Sequence, residues 1–139
     1  MKRIALVVVA IHFFVVVLHS VAHQILSVNA SPAQLAFIIP VIIVAPVVAG
    51  VMLLRFERFG TVLLTASMAG SFVFGVYYHF TADTIDHVSH VALLEPHRWS
   101  QMFVATSYLL AISELLGAVV GILLLVRRST TAPRGNHAF

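Results

Sequence analysis

Cysteine is absent from the 139 residues, which excludes disulfides, thiolate metal sites, iron–sulfur clusters and thiol catalysis. Any metal site must be built from His, Asp, Glu or Met. Charge is almost as scarce, at 9% of residues, whereas a water-soluble domain carries about 25%. There is no phosphate-binding glycine loop, no His-Glu-x-x-His motif and no serine in a nucleophile-elbow setting, so the familiar catalytic signatures give no support for an enzyme. The pI of 10.0 arises from a few dispersed basic residues. Without aromatic–basic interleaving, nucleic acid is excluded as a partner.

What remains is apolar: 60% of the chain, with a mean hydropathy of +1.03. A chain of this composition cannot cover its exterior with polar groups, so its solvent is expected to be the lipid bilayer. Four stretches reach the roughly 20 residues that a span requires: 4–28, 35–54, 61–80 and 99–126. The expected fold is therefore all-α, a single-domain four-helix transmembrane bundle over 1–139, with an outer polar segment at 81–98 and a frayed tail at 127–139. Lys2-Arg3 before an apolar run resembles a signal peptide. The run is longer than a signal core, however, and is taken as a true span.

The basic residues orient the bundle. Threading four spans puts Lys2, Arg3, Arg55, Arg58, Arg127, Arg128 and Arg134 on one side and only Arg98 on the other. By the positive-inside rule, both termini are expected to be cytoplasmic, in a membrane of the bacterial inner type. Ser31-Pro32 suits the cap and first position of the second helix. Pro40 and Pro46 each remove a backbone donor within that helix, which predicts a kink or local unwinding. Ser113, Gly117 and Gly121 follow small-xxx-small spacing, as do Ala45 and Ala49. This spacing allows close helix approach, and Gly117/Gly121 are the expected contact to a second copy or a larger membrane complex.

Eight histidines in so apolar a chain call for explanation. At 3.6 residues per turn, His19 and His23 fall about 20° to either side of His12 around the first helix, so the three share one stripe. A polar stripe in lipid must face protein, water or a ligand. The end of the third span adds His79, Asp83, Asp86, His87 and His90. If that helix continues past Phe80, these residues recur at spacings of three and four. Alternatively, the stretch lies flat as an amphipathic interfacial helix. Imidazoles with neighbouring carboxylates suit a transition metal such as Cu, Zn or Fe. The first helix carries His19 to about 22 Å and His23 to about 28 Å from its start, near the depth of His79, while His12 lies at about 12 Å. Glu114 sits within the fourth span and needs a partner. A pair with a histidine of the first helix is expected, as a proton site or as the inner edge of a metal site.

Three functions compete for these residues. The first is a site for a metal ion, or for haem b held by His19 and His79 with Gly75 leaving room for a flat ligand. It would draw on His12, His19, His23, His79, Asp83, Asp86, His87, His90 and Glu114, and would serve metal handling or redox chemistry. The second is a proton or cation relay through His12, His19 and Glu114. The third is an accessory or structural membrane subunit whose histidines hydrogen-bond between helices. His19-x-x-x-His23 and His87-x-x-His90 resemble motifs of membrane di-iron hydroxylases. Those proteins carry more such motifs, on cytoplasmic faces, so no activity is carried over.

Overall fold

A computed structural model describes residues 1–131; Arg134, His137 and most of the expected tail lie outside the described residues. The described residues are helical, with no strand among them. The helices are α1 (Lys2–Ile25), α2 (Pro32–Phe37), α3 (Ala45–Arg55), α4 (Glu57–Val76), α5 (Val88–Val91) and α6 (His97–Thr131), with π-helical segments at Ile38–Val44 and Tyr77–Thr81. The segments join into four stretches long and apolar enough to cross a membrane: Lys2–Ile25, Pro32–Arg55, Glu57–Thr81 and His97–Thr130. Their outward faces are apolar, with Phe14, Val51, Leu54, Phe59 and Val73 all more than 60% exposed.

The limits of the helices differ from expectation in three places. The first helix stops at Ile25 rather than Val28, because Leu26–Val28 form a Schellman turn. Val28 N–H bonds His23 carbonyl at 3.1 Å, Ser27 N–H bonds Gln24 carbonyl at 3.3 Å, and Ser27 takes a positive φ of 54°. The fourth helix runs through Arg127 and Arg128 to Thr131, so the expected tail begins inside a helix. The polar link between second and third spans shrinks to Phe56, with α4 starting at Glu57. Such a tight reversal demands glycine at position 60, where a Cβ would lie 2.6 Å from the Leu53 nitrogen.

The second span behaves as its prolines require. Ser31 caps α2 in a complete capping box: its hydroxyl accepts from Gln34 N–H at 3.2 Å, and its own N–H bonds Gln34 Oε1 at 2.6 Å. The π-helical stretch Ile38–Val44 then surrounds Pro40, and Pro46 stands at the start of α3. In a regular helix the Ile42 carbonyl would be bonded by residue 46, which as proline has no N–H. His12 Nε2 meets that carbonyl at 3.0 Å instead.

Around the bundle, α1 packs on α6, α6 on α4, α4 on α3, and α3 back on α1. At one end Glu57 joins Lys2 and Arg128, the latter at 2.6 Å, tying three spans together. An apolar cluster of Val8, Val9, Leu53, Leu64, Met68 and Leu124 fills the half next to this basic end. Gly117 and Gly121 let α6 close on α4: a Cβ on Gly117 would fall 2.7 Å from Met68, and one on Gly121 would strike Thr65. Both glycines thus face α4 of the same chain. Toward the other end α1 meets the π-helical segment through His12, Val15 and Val16 at Ile42, and past that level a cavity opens between α1 and α2.

Candidate metal centre

At the open end His19 and His23 of α1 meet His79 of the π-helical segment Tyr77–Thr81. One nitrogen from each lies within 4.8 Å of the other two. The three rings lie edge-on or tilted to one another, with centroids 4.7, 5.0 and 6.1 Å apart. Fully buried Phe103 of α6 packs against all three at 4.6, 4.7 and 5.4 Å.

Local structure fixes which nitrogen of each ring is free. His23 Nδ1 lies 2.7 Å from the Val28 carbonyl, which the Schellman turn folds back over α1. A carbonyl only accepts, so Nδ1 carries the proton and donates. His79 Nδ1 donates in the same way to the Asp86 carbonyl at 3.0 Å. That carbonyl is in place because the chain reverses after a π-turn, Ala82 N–H bonding Tyr77 carbonyl at 2.7 Å. His19 Nδ1 is 2.9 Å from Thr106 Oγ1. The Thr106 hydroxyl already donates to the Met102 and Phe103 carbonyls at 2.7 and 3.0 Å, so it accepts from His19. In the neutral rings each Nδ1 is therefore a donor and each Nε2 keeps its lone pair. The His23 and His19 Nε2 atoms nevertheless stand only 3.2 Å apart.

The cluster opens onto a cavity of about 180 Å³, lined among others by Val16, Ser20, Ile42, Gly75, Asp86 and Glu114. Three buried side-chain oxygens lack a hydrogen-bond partner among the described residues: Ser71 Oγ, Asp86 Oδ1 and Glu114 Oε2. Two of these residues, Asp86 and Glu114, line the cavity. The other Asp86 oxygen accepts from Gln34 Nε2 at 3.4 Å, which links the outer segment to the start of the second span.

The structure thus brings together His19, His23 and His79, places Asp86 and Glu114 on the same cavity, and leaves Asp83, His87, His90 and His12 elsewhere. Asp83, His87 and His90 do not join the cluster, because the helix ends in the π-turn at Thr81 and the expected register is never continued. The expected interfacial helix is likewise reduced to the single turn Val88–Val91. His90 Nδ1 donates to the Thr84 carbonyl at 2.8 Å while Nε2 faces exposed Asp83 at 3.2 Å. His87 pairs with Ser89 at 2.7 Å. His12 is buried one level deeper, bonded to Ile42 with Ser113 Oγ at 3.5 Å, and does not line the cavity. Glu114 is buried as expected but makes no pair with His12 or His19 among the described residues. Its Oε2 lies across from Gly75 of α4, 3.5 Å from where a Cβ would stand.

Sequence reasoning did not identify Thr106, Phe103 or the two carbonyls that orient the rings. A threonine and a phenylalanine in an apolar helix carry no signal beyond packing, and the carbonyls belong to turns visible only in the fold. The fold and cluster define a class, a four-helix protein of membrane-span character with a three-histidine cluster, two of its members buried, that could hold a metal ion. Comparison with protein-family models, with curated proteins and with solved structures returns no match.

Proposed function

We propose that this is an integral membrane protein, both ends cytoplasmic, that binds one transition metal ion through Nε2 of His19, His23 and His79 near the outer face. The bound metal would serve metal handling or redox chemistry. The observation that carries this is the 3.2 Å approach of two Nε2 atoms whose rings both use Nδ1 as donor. Two neutral rings so held point lone pair at lone pair, and a cation between them turns repulsion into attraction. Around a tetrahedral ion with bonds of 2.0–2.1 Å, ligand nitrogens stand roughly 3.3 Å apart, close to the separation seen. Support of each Nδ1 by a carbonyl or hydroxyl is the usual way a metal-binding imidazole is oriented.

Zn, Cu and Fe all accept imidazole, and Asp86, with one unpartnered oxygen in the same cavity, is the natural further ligand. The geometry favours an ion over haem. A haem held by two histidines needs its imidazoles opposed across the porphyrin plane, whereas here the free edges of two rings already face each other and a third crowds them. A relay through His12, Glu114 and His19 finds little support, since His12 lies off the cavity and the half beyond it is filled by apolar side chains. His12 itself fits interhelical bonding.

The test is metal content and the absorption spectrum of the purified protein, with titration by Co(II). The expected result is one ion per chain, no Soret band, and loss of uptake in His19→Ala/His79→Ala with helicity retained. A folded protein without stoichiometric metal would contradict the proposal and favour the accessory-subunit function.

A further inference from the structure

The cavity does not end at the histidines. It continues along α1, α4 and α6 toward Glu114, which is 2% exposed and has an unpartnered Oε2. Its walls at this depth are Val16, Ile38, Ile42, Phe74 and Leu110. A few placed polar groups in an apolar enclosure are the pattern of a small-molecule site. We propose that this cavity is the binding chamber of a small membrane-dissolved molecule bearing an alcohol or phenol hydroxyl, which donates a hydrogen bond to Glu114. The chamber goes beyond the metal centre and rests on it only for the identity of the group at its other end.

Three observations select this ligand. A carboxyl oxygen accepts a hydrogen bond in either protonation state, so the unpartnered Oε2 suits a hydroxyl donor. The approach is lateral: past the level where His12, Val15 and Val16 meet Ile42, the cavity runs between exposed Ser20 and Gln24 of α1 and exposed Leu35 of α2. A molecule that enters through this gap comes from the apolar phase around the bundle. Beyond Glu114 the way is shut, with Met68 filling the notch at Gly117 and the Val9, Leu53, Leu64 cluster behind it. A closed chamber suits binding and release on one side rather than passage across the bundle.

The test uses the full chain in lipid nanodiscs, with 1-naphthol as fluorescent probe and 1-methoxynaphthalene as the analogue lacking a donor. Saturable one-to-one binding of 1-naphthol is expected, with the analogue at least tenfold weaker. Glu114→Leu should remove that preference, and Ile38→Trp, at the half-buried wall, should weaken both probes by crowding the chamber. Equal binding of the two probes, no saturation above empty nanodiscs, or an unchanged preference in Glu114→Leu would overturn the proposal. Co(II) titration of the same samples, and probe binding after chelation, separate the two claims. Probe binding without Co(II) uptake sinks the metal centre alone, and Co(II) uptake without probe binding sinks the chamber alone.

Discussion

Each of the three histidines depends on one neighbour that commits its Nδ1: Thr106 for His19, the Val28 carbonyl for His23 and the Asp86 carbonyl for His79. Only the first of these is a side chain and so open to mutation. Thr106→Val keeps the shape but removes the acceptor, freeing His19 to turn over or change tautomer. Loss of such an orienting partner typically costs 10–100-fold in metal affinity. Competitive titration against a chromophoric chelator should show a drop of about that size with little change in thermal stability. An unchanged affinity would mean that His19 is held by packing against Phe103 alone. The stripe of His12, His19 and His23 was legible from helical spacing, and all three are indeed turned inward. What spacing did not reveal is that they part company, His12 to a backbone carbonyl and the other two to His79.

At the scale of elements, the second span shows how a sequence signal becomes a contact. Two prolines in one helix predicted unwinding, and the result is a π-helical stretch and a carbonyl at Ile42 that takes its hydrogen bond from another helix. His12→Ala should cost about 1 kcal/mol, the usual range for an interhelical bond whose loss leaves a buried acceptor unpaired. Pro46→Ala restores an N–H within reach of the same carbonyl, so His12→Ala should cost less in that background. A double-mutant cycle by thermal or denaturant unfolding reads the coupling, and strict additivity would contradict the assigned pairing. The capping box at Ser31 was equally legible, since Ser-Pro before an apolar run is a local signal. The 81–98 segment was not. Its i, i+3, i+4 pattern fits a helix, but the π-turn at Tyr77–Thr81 and the reversal at Ala82 override it, and nothing local in the sequence marks either.

At the scale of the molecule, charged groups from three spans gather at one end. Lys2, Glu57 and Arg128 meet there, at the end where the basic residues were expected to collect. Ser31 and Ser89 belong to the opposite end. Single cysteines there should react with an impermeant maleimide applied to intact cells from outside, whereas cysteine at Arg58 should react only after lysis. The reverse pattern would invert the bundle and move the histidine centre to the cytoplasmic face. The span count was legible because it depends on composition over long windows. Which helices neighbour which was not, and the pair expected between Glu114 and a histidine of α1 is replaced by an oxygen opposite Gly75 of α4 in a cavity shared with α1.

Whether three imidazoles share one ion is read most directly by X-ray absorption of the metal-loaded protein, without reference to function. For zinc, the expected spectrum has three nitrogen neighbours at about 2.0–2.1 Å with the outer-shell scattering of imidazole rings, reduced when His79 is replaced by alanine. A shell of oxygen alone, without imidazole scattering and unchanged in His79→Ala, would contradict the shared ion.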